Sequence, residues 1–160
     1  MEAIIHIAAI GIGATLIMDL WGLVQHRAFG APALDYRLVG RWLGHILRGR
    51  LRHESIAKAS PIPGERTLGW AAHYATGALF AALLIAAYGP GWAQCPTIWP
   101  ALLVGILTVA APFLILQPAI GFGIAASKAP DPTAARLRSC VTHFVFGIGL
   151  YVSADLFRVS

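Results

Sequence analysis

Long apolar runs dominate the pattern of hydrophobic and polar positions along this chain. The first covers about residues 3–25, and three more cover about 68–88, 98–126 and 137–157. A helix rises ~1.5 Å per residue, so a run of ~20 apolar residues crosses ~30 Å of hydrocarbon. The pattern therefore predicts an all-α membrane protein, a four-transmembrane-helix bundle that forms a single integral membrane domain.

Composition supports this prediction and excludes other classes. Of 160 residues, 58% are hydrophobic and 12% are charged, and the mean hydropathy is +0.69. These values exclude most soluble classes and intrinsic disorder. Pro112 and Pro118 lie inside the third run, where they predict a kink or a tilted helix because proline lacks the backbone N–H.

Positive charge is distributed unevenly between the connections. Of the twelve Lys and Arg residues, eight lie in the first loop, about 26–67, and three lie between the third and fourth runs. The connection 89–97 has no charged residue. Basic loops stay in the cytoplasm, so both termini are predicted to face outward. This topology explains the net charge without a nucleic-acid partner, and membrane lipids are the predicted partners.

The first loop contains an amphipathic pattern. Leu38, Trp42 and Ile46 recur at helical spacing, and Arg37 and Arg41 occupy neighbouring stripes. An interfacial helix is predicted here, with the indole as an anchor in the headgroup region and the arginines on lipid phosphates.

The second and fourth runs share one pattern: an arginine, a histidine seven residues later, and a glycine four residues after that. The residues are Arg66, His73 and Gly77 in one run, and Arg136, His143 and Gly147 in the other. The matched spacing indicates two duplicated helical hairpins. Small residues around each histidine would let helices approach closely.

Four polar residues fall in one layer of the predicted membrane, roughly 10 Å from the cytoplasmic interface at ~1.5 Å per residue. They are Asp19, His73, Gln117 and His143. An ionised carboxylate at this depth costs ~2.5–3.5 kcal/mol and needs a partner, for which histidine is suited. The layer is a candidate substrate- or ion-binding site; the alternative is that these residues hydrogen-bond across helices and only fix packing.

Arginines at the cytoplasmic ends of the runs form a candidate rim for lipid phosphates or an anionic head group. They are Arg41, Arg66, Arg136 and Arg138. His53 and Glu54 in the first loop have no recognised metal-binding spacing and are predicted to be solvated.

Several functions fit this layer of polar residues. The first is a proton- or cation-linked small-solute carrier, and a homo-oligomer because four short spans enclose little volume. The second is a haem b or transition-metal protein with His73 and His143 as ligands. An enzyme acting on an amphiphile, or an accessory subunit, would also fit, but no common catalytic signature or nucleophile is evident, so no catalytic residue is assigned.

Three segments resemble a known family. They are Leu34 to His45 (LDYRLVGRWLGH), Pro63 to Arg66 (PGER) and Gly69 to Tyr74 (GWAAHY). They are similar to those of small bacterial inner-membrane proteins catalogued as domain of unknown function 2938. The resemblance implies a bacterial inner membrane and four spans; in that membrane, the outward termini predicted from the basic loops would be periplasmic. It implies no activity and no site residue.

Overall fold

The computed structural model describes residues 1–32 and 35–158, and this part of the chain contains helices but no β-strand. The α-helices are α1 (Glu2–Phe29), α2 (Tyr36–Ile46), α3 (Glu65–Tyr88), α4 (Gly91–Gln94), α5 (Ile98–Leu107), α6 (Gln117–Ile120) and α7 (Pro132–Leu156). Helical segments long and apolar enough to cross a membrane are Glu2–Phe29, Glu65–Tyr88, Ile98–Ile120 and Pro132–Leu156. The predicted all-α class with four spans is confirmed.

Many large apolar side chains on these helices are exposed. Examples are Ile4, Leu20, Leu79, Leu103 and Leu137, each more than half exposed. Such surface is costly in water and favourable in hydrocarbon. The helices therefore belong to a membrane protein.

The third spanning segment is not a regular α-helix. After α5 the chain continues as a π-helix, Pro112–Leu116, and then as α6. Proline has no N–H to donate, so Pro112 and Pro118 each remove one rung of the i→i−4 ladder where the sequence predicts an interruption. The segment ends at Gly121, which is left-handed at φ 102°, before the predicted end near residue 126.

The chain groups into two compact units. The first combines Met1–Ala33, Tyr74–Thr108 and Cys140–Ser160. Its buried core combines small and aliphatic side chains with the aromatic side chains of Trp92 and Phe146: Ile10, Ala14, Ala81, Leu84, Trp92, Ala93, Ala101, Phe146, Leu150 and Ala154.

Glycines set the closest helix crossings of the first unit. Gly11 of α1 lies against the backbone of Gly77 and Ala78 in α3. Gly105 of α5 lies against Gly147 of α7, where an added Cβ would be 2.5 Å from the Gly147 Cα atom. Both glycines of the repeated sequence pattern therefore contact the preceding spanning helix, which supports the proposed duplication of hairpins.

The second unit combines Leu34–His73 and Val109–Ser139. Asp35 caps α2 by accepting a hydrogen bond from the Arg37 backbone N–H at 3.1 Å. Gly40 of α2 meets the Glu65 carbonyl, and Gly69 of α3 meets the Tyr36 carbonyl, so the two helix backbones are in direct contact. The amphipathic helix predicted in the first loop is α2, and its glycine face packs on the start of α3.

Candidate functional site

Asp19 is held by a hydroxyl group. Its carboxylate accepts a hydrogen bond from the Tyr74 hydroxyl of α3 at 3.0 Å. Asp19 is half-buried, one helical turn beyond Thr15, which is fully buried and donates to the Gly11 carbonyl at 2.7 Å. The sequence predicts Asp19 as a site residue, but nothing in its pattern indicates that Tyr74 is the partner.

His143 of α7 is also held by a hydroxyl group. Its Nδ1 atom lies 2.8 Å from the Thr108 oxygen, at the end of α5. The Thr108 hydroxyl donates its single hydrogen to the Gly105 carbonyl, so it can only accept from His143. Nδ1 of His143 is therefore the donor of this contact and carries a hydrogen.

His73 of α3 contacts a residue of the first loop. The Tyr36 hydroxyl lies 3.0 Å from His73 Nε2. The two rings stack at 4.2 Å between centroids, and the Trp70 ring lies 4.5 Å from that of Tyr36. Nothing in the sequence spacing identifies Tyr36 as a partner, because the pairing depends on how α2 packs against α3.

Gln117 begins α6, where the π-helix ends. Its main-chain carbonyl accepts from the Phe122 N–H at 2.8 Å. The side-chain Oε1 atom is buried and has no hydrogen-bond partner. A buried acceptor without a partner costs about 1–3 kcal/mol, so Gln117 has a hydrogen-bonding capacity that a ligand could satisfy.

The predicted polar residues divide between the two units. Asp19 and His143 lie in the first, and His73 and Gln117 lie in the second. The ionisable ones share one feature, a tyrosine or threonine hydroxyl as a hydrogen-bond partner. Convergence of all four in one layer stays a prediction.

The metal and haem hypotheses were based on His73 and His143, and a metal site needs further ligands beside them. Among the residues that the structure describes, no group of three or more His, Cys, Asp or Glu side chains is placed to hold a metal ion. A metal or haem iron bound at Nε2 of His73 would have to replace the Tyr36 hydroxyl.

The rim arginines differ in their surroundings. Arg41 forms two hydrogen bonds to the Glu65 carboxylate, each 2.9 Å long, and its Nη1 donates to the carbonyls of Ile56, Ala57 and Ala59. The hydrogen bonds to Glu65 raise the pKa of Arg41 above its usual value. This guanidinium joins the first loop to α3, and its contact with lipid phosphates stays a prediction.

The other arginines lie nearer to solvent. Arg136 is exposed, and its Nε donates to the Ala125 carbonyl at 2.8 Å. Arg66 is exposed and Arg138 is half-buried. Their positions remain compatible with a rim for anionic groups.

Spanning helices that carry hydroxyl-paired ionisable side chains define a helical membrane protein with a candidate intramembrane polar site. The chain belongs to the family described as Protein of unknown function (DUF2938), whose model matches residues 8–157. This confirms the resemblance seen in the sequence. No curated protein and no solved structure matches the chain.

Proposed function

We propose that this protein is a proton- or cation-linked small-solute carrier of the bacterial inner membrane. The observation that carries the proposal is the hydroxyl partner of each ionisable residue: Tyr74 on Asp19, Thr108 on His143, and Tyr36 on His73. Carriers need groups that bind and release a proton or ion within the membrane, and ionisable residues in spans commonly mark such paths.

A hydroxyl group is suited to this task because it both donates and accepts hydrogen bonds. The Tyr74 hydroxyl donates to an ionised Asp19 and can accept from a protonated one. The contact is therefore kept in both protonation states, and neither state leaves an unpaired polar group in a low-dielectric environment. A carboxylate fixed by arginine would instead be held permanently ionised.

The contact between Thr108 and His143 determines which ring nitrogen of this histidine exchanges a proton in the proposed carrier. Since Nδ1 donates to Thr108 in both protonation states, binding and release occur at Nε2. The ring orientation then changes little when the charge changes. This is the behaviour expected of a site that cycles repeatedly between two states.

The orientation and assembly of the carrier are part of the proposal. Basic loops on the cytoplasmic side would leave both termini in the periplasm. A homo-oligomer is proposed because four spans of this length enclose little volume for a solute path. The exposed apolar helix faces supply surface for both lipid and subunit contacts.

The test is proton movement in proteoliposomes that contain a pH-sensitive dye. Na⁺, K⁺ and panels of small organic cations and anions are added outside, and the internal pH is recorded. We expect at least one probe to drive proton movement with the wild type, and Asp19→Asn to abolish it. The matched control is Asp155→Asn, which removes an exposed carboxylate on a different helix, α7.

Two results would overturn the proposal. One is equal proton movement with Asp19→Asn and wild type. The other is no coupled movement with any probe when the reconstituted wild type retains the melting temperature of the purified protein.

A further inference from the structure

An open cavity of about 390 Å³ lies in the second unit, apart from every residue used in the proposed function. Its lining residues are Arg52, His53, Glu54, Pro118, Gly121, Gly123, Ile124 and Lys128. Two segments far apart in sequence form it, one from the first loop and one that comprises part of α6 and the chain after it. Its charged residues comprise two cations and one carboxylate, so the lining carries a net positive charge when the histidine is neutral.

Backbone contacts hold the two segments together. The His53 N–H donates to the Ala119 carbonyl at 2.8 Å. Gly121 lies directly against the Glu54 carbonyl, leaving no room for a Cβ atom. These contacts place Glu54 beside the chain that follows α6, so the cavity wall is a packed structure and not a chance gap between mobile loops.

His53 leaves one nitrogen without a partner. Its Nε2 lies 2.8 Å from Nδ1 of His45, whose own Nε2 lies 3.0 Å from the Ser60 carbonyl. A carbonyl only accepts, so His45 donates there, and with both rings neutral its Nδ1 accepts from His53. Nδ1 of His53 is then an acceptor, and it is buried with no partner.

His53 favours the neutral form at pH 7. Burial lowers its pKa below the ordinary value, and the nearby charges of His45 and Arg50 act in the same direction. The neutral ring adds no charge to the cavity, whose charged side chains are then Arg52, Lys128 and Glu54.

The lining chain also contains unusual backbone. Ala125 and Ala126 have φ values of 47° and 56°, in the left-handed region that residues with a Cβ seldom adopt. Arg136 donates to the Ala125 carbonyl and thereby holds this conformation. Strained backbone of this kind concentrates at binding and catalytic sites, where the surrounding structure maintains it.

We propose that this cavity binds a small zwitterion that joins a phosphate to a primary ammonium group, the chemistry of phosphoethanolamine. Arg52 and Lys128 would bind the phosphate, while the Glu54 carboxylate would accept hydrogen bonds from the ammonium. The net positive lining matches a ligand with a negative or zero net charge. The ligand is either a soluble compound or the head group of a membrane lipid, which presents the same two groups.

The experiment is calorimetric titration of the purified protein in neutral detergent with three probes. They are O-phosphoethanolamine, phosphocholine and inorganic phosphate. Phosphocholine keeps the phosphate and the positive charge but has no N–H, so it cannot donate a hydrogen bond. We expect O-phosphoethanolamine to bind about tenfold more tightly than either other probe, the factor that one charge-assisted hydrogen bond supplies.

Variants locate the binding to the cavity. Lys128→Gln and Arg52→Gln are expected to weaken O-phosphoethanolamine binding about tenfold each, and Glu54→Gln to reduce its preference over phosphocholine. Lys58→Gln is the matched control, because Lys58 is an exposed cation of the same unit that does not line the cavity. Loss of binding in Lys58→Gln equal to that in Lys128→Gln would overturn the proposal.

The wild-type comparison is decisive even if a variant fails to fold. Equal affinity for O-phosphoethanolamine and phosphocholine, or no binding of the former, would overturn the proposal. Repeating the titration in lipid nanodiscs distinguishes a soluble ligand from the head group of a membrane lipid. Weaker binding in phosphatidylethanolamine than in phosphatidylcholine discs supports a lipid head group as the ligand, whereas equal binding supports a soluble one.

Discussion

The Thr108 hydroxyl oxygen lies 2.8 Å from Nδ1 of His143 and donates its own hydrogen to the Gly105 carbonyl. In this contact Nδ1 of the histidine is the donor and the Thr108 oxygen is the acceptor. It also connects the residue to the C-terminal end of α5, because Thr108 directly follows Leu107, the last residue of that helix. The end of α5 therefore positions a candidate functional side chain.

Replacing Thr108 by valine removes the partner of His143 while keeping the shape of the side chain. Interhelical hydrogen bonds in membrane proteins contribute about 0.6 kcal/mol, and at most about 1.7. We expect Thr108→Val to lower the melting temperature in detergent and to change the pH profile of proton movement. Thr108→Ser keeps the hydroxyl and should restore the wild-type profile. Identical profiles for the valine variant and wild type would show that Thr108 does not orient the histidine.

Substitution of Gly105 tests the close crossing of α5 and α7. An added Cβ would be 2.5 Å from the Gly147 Cα and 2.9 Å from the His143 carbonyl. Backbone cannot rotate away as a side chain can, so we expect Gly105→Ala to lower stability by about 1–3 kcal/mol. Gly22 of α1 has nothing within 4 Å of the same position. Gly22→Ala is therefore the control, and comparable melting of the two variants would contradict this crossing.

The ion pair of Arg41 and Glu65 is expected to stabilise the second unit. The two side chains are 11% and 14% exposed, and the guanidinium also donates to three carbonyls. Lysine has no planar fork to reproduce these bonds, so Arg41→Lys should cost about 2 kcal/mol. Arg37→Lys changes an exposed pair with Asp35 and should have little effect. The test is chemical unfolding of both variants, monitored by their helix content. Equal unfolding midpoints would refute a structural role for Arg41.

Stability should fall in mildly acidic solution because of His53. Its folded pKa is lowered from the ordinary 6.5, with burial as the main cause. The unfolded chain then takes up a proton at a higher pH than the folded chain. The free energy of unfolding contributed by this group therefore decreases as the pH drops below about 6.5. We expect the difference in melting temperature between pH 7 and pH 5 to be smaller in His53→Gln than in wild type. His26→Gln, on an exposed histidine, should leave that difference unchanged.

The orientation proposed from charge is testable without purification. A reporter that is active only in the periplasm is fused after Ser160, and a second fusion is made within the first loop, after Arg52. We expect activity from the first and none from the second. The reverse pattern would invert the topology and place the candidate site in the periplasmic half of the membrane.

The sequence predicted most of the fold because hydropathy is a local property. Each spanning segment is recognisable from its own ~20 residues without reference to the rest of the chain. The interruption of the third segment was also predictable, since Pro112 removes an N–H wherever it lies. The end of that segment was placed too late, because Gly121 terminates the helix within a stretch that is still apolar.

The candidate site was predictable only in part. Asp19 and His143 were identified by the cost of burying charge in hydrocarbon, which needs no knowledge of contacts. Their partners were not, because Tyr74 and Thr108 are unremarkable residues in apolar helices. Glu54 is exposed, as predicted, but His53 is half-buried, because the segment after α6 lies against the first loop and no sequence spacing indicates this contact.

The sequence by itself determined the class of this protein, the number of its spanning helices and the identity of its intramembrane ionisable residues. Each follows from transfer free energies of individual side chains and their order along the chain. Only the tertiary structure decided which hydroxyl groups meet Asp19, His73 and His143, and that two distant loops enclose a charged cavity. Those outcomes depend on helix crossings set by backbone contacts such as that of Gly105 with Gly147, and packing of this kind is a property of the whole chain.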